Sequence, residues 1–270
     1  MAGTPRKPHA IMIPYPYQGH INPFSIDGSD IFAGARDSGL DIRYATVSDG
    51  FPLGFDRSLN HDQFVEGLIH VFSAHVDELV ANLADSDPPV TCLIADTFYV
   101  WASAIAEKHN LVSVSFWTEP ALVLSLYYHL DLLKQNGHFG SQEKRQDIDY
   151  IPGVGTIKPT DLTSYLQADD IWTVVHRVIY RAFEDVKKAD IIICNTVREL
   201  EYNTLAALHR KQPTYAIGPI VSGFTNKTVA TSLWSETDCT PWLNEKPTGP
   251  FCTSPSVATP TPLAKKTFGR

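Results

Sequence analysis

Short apolar runs that alternate with longer amphipathic stretches constrain the fold of this chain more than any other feature. Each run is four to seven residues long and is rich in Ile, Val and other apolar residues; the runs are 9–14, 41–47, 90–95, 111–116, 189–195 and 214–217. Continuous apolar strands of this kind are typical of a parallel sheet, because both surfaces of each strand are then covered. The sequence therefore predicts parallel β-strands at these six places.

The stretches between these runs have the spacing of amphipathic helices. In residues 62–83, apolar side chains recur every three to four positions, as they do along one face of a helix. Residues 96–109, 121–136 and 174–188 show the same pattern. Alternating β and α units of this length predict an α/β fold with a doubly wound, mostly parallel, Rossmann-like sheet.

The composition of the chain argues against several classes of function. The chain has 270 residues and a net charge of −8, with no cluster of Lys and Arg, which argues against nucleic-acid binding. No apolar stretch approaches the roughly 18 residues of a membrane span, and the first residues lack the apolar region of a secretory signal. The four cysteines are far apart and form no CxxC pair, so we expect reduced thiols in a cytoplasmic protein.

Two chemically active side chains follow predicted strands. His20 lies in the turn after the first strand, and Asp96 lies directly after the run 90–95. The carboxyl ends of parallel strands share one edge of the sheet, where ligands usually bind. A histidine there can act as a general base, with a carboxylate to orient it. Taken alone, either residue is more often a capping or solvated residue than a catalyst, so this reasoning leaves both interpretations open.

A dinucleotide-binding oxidoreductase is the main alternative for a sheet of this kind. Such a site needs a glycine-rich GxGxxG turn directly after the first strand, so that backbone amides can surround the phosphates. The corresponding turn here contains Pro14, Pro16 and the single glycine Gly19. The sequence therefore argues against this alternative.

An ordered series of short motifs resembles a known protein family. The motifs are PYQGHINP at 16–23, LIADTF at 93–98, FWT at 116–118, Asn195-Thr196 with Leu200-Glu201, YAIGP at 215–219 and DCTPWLNEKPTG at 238–249. Each motif is weak alone, but in this order they resemble the N-terminal domain of plant UDP-glycosyltransferases, which are two-domain enzymes of the GT-B fold. The resemblance covers nearly all of residues 9–249.

The resemblance implies roles for particular residues. His20 would be the general base that takes the proton from an acceptor hydroxyl, and Asp96 would orient and charge-balance it. Thr118 would hydrogen-bond the hydroxyls of the donor sugar, with Trp117 as a wall of the site. The other substrate-binding positions that it implies are Tyr15, Gln18, Gly19 and Phe116. For the nearby Tyr127 and Tyr128 we expect ordinary core packing instead.

The family chemistry that this resemblance implies is an inverting transfer. The deprotonated acceptor attacks the anomeric carbon of a UDP-sugar, and UDP leaves. No metal and no cofactor is implied, since the UDP-sugar is a co-substrate. The expected partner is a small apolar hydroxylated metabolite such as a phenolic, with no nucleic acid, no membrane span and no obligate protein partner.

Two departures from the family pattern shape the expected domain organisation. After Phe24 the family has a long helix and a second strand, which this sequence lacks, so His20 is expected to be misplaced in a sheet without one helix–strand unit. After Gly249 the donor-binding half does not follow. Residues 250–270 are rich in proline, without periodicity, and in a shifted frame they can encode the strand expected next. We therefore expect a disordered, frameshifted tail.

The expected organisation has four parts. They are a disordered N-terminus at 1–8, an acceptor-binding domain at 9–222, a remnant of an interdomain linker at 223–249 and the tail at 250–270. The sequence predicts a UDP-glycosyltransferase by descent, present as its acceptor-binding half and inactive alone. The alternative is a non-catalytic small-molecule-binding module or an inert fragment.

Overall fold

A single parallel sheet organises the described part of the chain. The computed structural model describes residues 9–16, 36–37, 39, 41–57, 59–84, 86–139, 146–168, 171–218 and 220. In these residues five strands lie side by side in chain order, and every neighbouring pair is parallel. They are β1 (Ala10–Ile13), β2 (Cys92–Asp96), β3 (Val112–Trp117), β4 (Ile191–Cys194) and β5 (Thr214–Ala216). The predicted α/β class with a parallel, Rossmann-like sheet is confirmed.

Helices connect the strands. Between β1 and β2 lie α1 (His61–His70) and α2 (Phe72–Asn82), and between β2 and β3 lies α3 (Ala102–Lys108). The long connection from β3 to β4 contains α4 (Ala121–Tyr128), α5 (Leu130–Gln135), a 3₁₀ helix (Pro159–Asp161), α6 (Ser164–Gln167) and α7 (Val174–Val186). Helix α8 (Tyr202–His209) connects β4 to β5. None of these helices combines the length and apolar character that crossing a bilayer requires.

One predicted strand is wrong. Residues 41–47 are coil, and Tyr44 in their centre is 72% exposed. An apolar run becomes a strand only when a neighbouring strand satisfies its backbone N–H and C=O groups. In the described ranges β1 pairs with β2 alone, and residues 41–47 have no strand to pair with.

The predicted helices occur with different bounds. The pattern at 62–83 breaks at Val71 into α1 and α2, and the pattern at 121–136 breaks at His129 into α4 and α5. The helix predicted from Asp96 begins only at Ala102, because Asp96 is the last residue of β2 and the chain first turns back. Helix α8 was not predicted; its buried apolar residues are Leu205, Ala207 and Leu208.

Two hydrophobic cores lie on the same face of the sheet. The first joins β1 and β2 to α1, α2 and α3, and includes Ile13, Leu93, Leu68, Val76 and Ile105. The second joins β3 and β4 to α4, α7 and α8, and includes Trp117, Leu124, Phe183, Ile192 and Leu208. Ala95 pairs with Ser115, and Trp117 follows Ser115 by two residues, so the side chains of both cores point the same way.

The opposite face of the sheet is partly open at its margins. Met12 is 55% exposed and Tyr215 is 50% exposed, whereas Val114 and Phe116 between them are buried. The expected disordered N-terminus at 1–8, residues 25–35 after Phe24, the linker at 223–249 and the tail at 250–270 lie outside the described residues.

Candidate functional site

The carboxyl ends of β1, β2 and β3 meet at one edge of the sheet. Ile13 pairs with Ala95, and Asp96 pairs with Phe116. Because the strands are parallel and in register, Tyr15, Asp96 and Thr118 all follow or end their strands at this edge, where ligands usually bind in open α/β sheets. The structure thus brings together part of the predicted site. His20, Gln18 and Gly19 lie outside the described residues.

Asp96 is a buried carboxylate at this edge. Its side chain is almost completely enclosed, and its Oδ1 atom accepts a hydrogen bond of 3.0 Å from the backbone N–H of Phe98. The carbonyl oxygen of Asp96 accepts a second bond of 3.0 Å from the N–H of Tyr99. These two contacts form a tight turn that directs the chain away from the sheet. They also fix where the carboxylate stands relative to the strand end.

Tyr99 links this turn to the end of β1. Its hydroxyl donates a hydrogen bond of 2.9 Å to the carbonyl oxygen of Pro14. Its ring lies 5.2 Å from the ring of Tyr15, which in turn lies 5.8 Å from the ring of Phe98. Burial raises the pKa of Tyr99 well above its ordinary value, so the hydroxyl remains a neutral donor. Sequence reasoning missed this residue, whose only signal was its place directly after the LIADTF motif.

A pair of buried hydroxyl groups joins the ends of β2 and β3. The Oγ1 atom of Thr97 donates to the carbonyl oxygen of Phe116 at 3.0 Å and lies 2.7 Å from the Oγ atom of Ser115. The N–H of Thr97 donates to the same carbonyl at 3.0 Å. These bonds hold the two strand ends together where Asp96 and Trp117 leave the sheet.

The aromatic residues expected to line a pocket are largely core residues. Trp117 is 1% exposed, its indole N–H donates to the carbonyl oxygen of Pro120 at 2.9 Å, and its ring packs against Phe183 at 5.4 Å. Phe116 and Tyr15 are buried as well, whereas Thr118 is half-buried. Of the predicted substrate-binding residues that the structure describes, Thr118 is therefore the one with an accessible side chain.

The expectation of core packing for Tyr127 is confirmed. Its ring stacks on Phe183 at 4.6 Å, and its hydroxyl lies 2.6 Å from the Oγ1 atom of Thr163. Tyr128 packs against the same core and donates to the Oε1 atom of Gln212 at 3.2 Å. Burial raises the pKa of Tyr127, which keeps its hydroxyl neutral.

Curated plant proteins resemble this chain in sequence. No protein-family model matches the chain. The chain is 59% identical to UDP-glycosyltransferase 86A1 of Arabidopsis thaliana and 57% identical to UDP-glycosyltransferase 86A2 of the same plant, with 90% and 88% of the chain covered. The chain belongs to the plant UDP-glycosyltransferase family. It spans 57% and 56% of the length of these two relatives.

The fold of this UDP-glycosyltransferase family member matches solved structures of the family. A UDP-glucosyltransferase from Polygonum tinctorium superposes with a TM-score of 0.61 at 19% identity, over 90% of this chain and 57% of that one. At this identity the match shows the fold alone, and it confirms the expected relation to the GT-B fold.

The match to 86A1 also shows a difference in length. It runs over 281 residues, which is longer than the whole chain of 270, although only 90% of the chain takes part. Within the matched stretch, 86A1 therefore has residues without a counterpart in this chain.

A metal site or a reactive thiol in the described residues would allow other chemistry. Within those ranges, no three or more His, Cys, Asp or Glu side chains are grouped so that they could hold a metal ion. Cys194 is a buried free thiol, and burial raises its pKa to about 12, so it is not a nucleophile at neutral pH.

Proposed function

We propose that these residues form the acceptor-binding half of an inverting UDP-glycosyltransferase, which transfers a glucosyl group to a hydroxyl of a small apolar metabolite. The observation that carries this proposal is the shared edge of β1, β2 and β3, at which Tyr15, Asp96 and Thr118 lie. The 59% identity to UDP-glycosyltransferase 86A1 supports the reaction class.

The proposed reaction uses one proton transfer and one displacement. His20 takes the proton of the acceptor hydroxyl, and the oxygen attacks the anomeric carbon of the sugar. The bond from that carbon to the UDP oxygen breaks, UDP leaves with the electron pair, and the configuration inverts. Asp96 orients His20 and balances its positive charge. The placement of Asp96 supports this role, since the side chain is buried at the end of β2 and its Oδ1 atom is held by the N–H of Phe98.

For the acceptor we propose a hydroxylated aromatic compound. The Polygonum tinctorium enzyme is described as capable of glucosylating indoxyl and was solved in complex with 3,4-dichloroaniline. The edge formed here by Tyr15 and Phe98 is aromatic as well. We place the reaction in the cytoplasm, as expected from the cysteine content.

We further propose that a polypeptide of these 270 residues transfers little or no sugar by itself. It spans 57% of the length of 86A1. Groups that stabilise the departing phosphates usually supply a large share of the acceleration in such reactions, and a displacement of about 1 Å at a catalytic group can cost about 100-fold in rate. The competing proposal is a non-catalytic binding module or an inert fragment.

The first test is binding and turnover by the purified chain. A phenolic ligand at about 100 times its Kd should stabilise the folded state by about 2.7 kcal/mol, which raises the Tm by several degrees. Product formation from UDP-glucose is followed by chromatography in the same samples. Clear turnover would refute the claim that this is an inactive half. A cooperative melt that no phenolic shifts would favour the inert fragment.

The catalytic roles are tested in a fusion of residues 9–249 to the part of 86A1 that lies beyond the matched stretch. The residues of 86A1 that have no counterpart here are inserted after Phe24, so that the expected misplacement of His20 is removed. His20→Ala and Asp96→Asn should each lower kcat by about 100-fold or more. Asp147→Asn is the matched control, because Asp147 is an exposed loop residue. An active fusion that tolerates His20→Ala would show that His20 is not the base.

A further inference from the structure

Two motifs of the sequence, Asn195-Thr196 with Leu200-Glu201 and YAIGP at 215–219, take no part in the proposed chemistry. Residues of the first motif bond to Trp117 and Ala121, on either side of the turn at 118–120. Asn195 and Thr196 follow β4 directly, and Glu201 immediately precedes α8. Gly218 follows β5. Their hydrogen bonds show what this arrangement does.

The carboxylate of Glu201 caps helix α4 from another part of the chain. Its Oε2 atom accepts a hydrogen bond of 2.8 Å from the N–H of Ala121, and its Oε1 atom accepts one of 2.8 Å from the N–H of Leu122. Pro120, the residue before α4, makes no side-chain capping bond. The first N–H groups of a helix lack partners inside it and carry partial positive charge, so a carboxylate there satisfies two donors and is attracted to the helix end.

Glu201 is itself held in place. The hydroxyl of Thr196 donates to its Oε2 atom, so the two carboxylate oxygens together accept three hydrogen bonds. A different rotamer of Glu201 would break all three bonds. Contact with the start of α4 is therefore a fixed feature of the fold.

The other end of the turn that carries Thr118 is anchored by the same segment. The N–H of Asn195 donates to the carbonyl oxygen of Trp117 at 2.8 Å. The indole N–H of Trp117 donates across the turn to the carbonyl oxygen of Pro120 at 2.9 Å. Thr118 thus lies between an anchor at Trp117 and an anchor at Ala121, and residues after β4 supply both.

Residues after β5 form hydrogen bonds with Asn195 and Thr196. The Oδ1 atom of Asn195 accepts a hydrogen bond of 2.6 Å from the N–H of Ile220, and the N–H of Gly218 donates to the carbonyl oxygen of Thr196 at 3.1 Å. A Cβ atom at Gly218 would collide with the side chain of Asn195 and the backbone of Thr196. Glycine at this position therefore permits the close approach.

We propose that Glu201 is a positioning residue, which fixes the turn at 118–120 through the start of α4 and so sets where the Thr118 hydroxyl meets the donor sugar. Glu201 acts through the turn and contacts no substrate. The contact of Thr118 with the sugar rests on the proposed function, whereas the hydrogen bonds of Glu201 do not.

The test compares Glu201→Ala and Glu201→Gln with the wild-type chain. Glu199→Gln is the matched control, because Glu199 is an exposed glutamate two residues away. In Glu201→Ala the amide hydrogens of Ala121 and Leu122 should exchange with solvent at least about tenfold faster, while amides of β2 remain unchanged. Glu201→Gln keeps one acceptor oxygen and should have a smaller effect; it supplies the comparison if the alanine variant does not fold.

A second readout follows Thr118 itself by methyl NMR. Glu201→Ala should move the Thr118 methyl signal, Glu201→Gln should return it towards the wild-type position, and Glu199→Gln should leave it in place. In the fusion to the remaining part of 86A1, UDP-glucose should shift this signal when Glu201 is present and shift it less in Glu201→Ala.

The two readouts separate the inference from the proposed function. Equal exchange at Ala121 and Leu122 in the wild type and Glu201→Ala, or an unmoved Thr118 signal, would overturn the positioning role. If both change as expected but UDP-glucose leaves the signal unmoved in a fusion that turns over UDP-glucose, the positioning of the turn stands and the donor contact of Thr118 is wrong.

Discussion

Replacing Tyr99 with phenylalanine removes one hydroxyl group and leaves the ring in place. In the wild-type protein this hydroxyl donates to the carbonyl oxygen of Pro14 at 2.9 Å and joins residues 85 positions apart. The ring contacts with Tyr15 at 5.2 Å and Trp101 at 4.6 Å persist in the variant. The substitution therefore isolates the hydrogen bond between the end of β1 and the turn after β2.

The expected loss follows from the surroundings of this bond. A net hydrogen bond contributes about 1 kcal/mol, and a partly buried acceptor that loses its donor adds to the cost, so Tyr99→Phe should lower the free energy of unfolding by about 1 to 2 kcal/mol. For a domain of this size, that loss lowers the Tm by about 2 to 8 °C. Because the pKa of Tyr99 lies well above its ordinary value, the loss should be the same at all pH values near neutrality.

The assay is thermal unfolding of both proteins, followed by circular dichroism. Tyr202→Phe is the matched control, because Tyr202 is 57% exposed and its ring contact with Arg198 does not need the hydroxyl. We expect the control to change the free energy of unfolding by less than about 0.5 kcal/mol. Equal Tm values for Tyr99→Phe and the wild type would refute the reasoning that this bond links the two strand ends.

Two further substitutions test the fold and its electrostatics. Gly153→Ala should destabilise the protein by about 2 kcal/mol or more, because Gly153 has a φ of +77° and a Cβ atom would collide with the carbonyl oxygen of Asn203. Gly155→Ala is the control and should have the Tm of the wild type, because a Cβ atom there meets no atom within 4 Å. Equal losses of Tm in the two variants would contradict this reasoning. Burial raises the pKa of Asp185, so the folded protein binds this proton more tightly than the unfolded chain, and the contribution of Asp185 to stability falls as the pH rises through the carboxyl range. Asp185→Asn keeps an acceptor for the N–H of Ser103 and does not titrate. Its Tm relative to the wild type should therefore rise between about pH 4 and about pH 7. A difference in Tm that stays constant over this range would count against a raised pKa of Asp185.

Periodicity located most of the described secondary structure, because the five strands in the described ranges are also continuous apolar runs. It failed at residues 41–47, whose composition is equally suited to a strand. A strand forms only when a neighbouring strand pairs with its backbone N–H and C=O groups, which its own side chains do not do. The sequence shows the pattern of residues 41–47 but not whether another strand lies beside them.

The candidate site was also predicted only in part from the sequence. Its order along the chain allowed Asp96 and Thr118 to be predicted at one edge, since strand ends in a parallel sheet share an edge. The contacts of Tyr99 and Glu201 were not predicted, because each joins residues about 80 positions apart. Nothing local in the sequence marks a carboxylate as the cap of a distant helix.

The sequence by itself determined the α/β class, the strand-end placement of Asp96 and Thr118, and the family, because local patterns and ordered motifs can be recognised without knowing the contacts. Only the tertiary structure decided that both cores share one face of the sheet and that residues 41–47 form no strand. It also decided that Trp117 is a core residue and that Glu201 holds the turn of Thr118. These features depend on which distant groups meet, and packing and hydrogen bonding settle that only when the whole chain has folded.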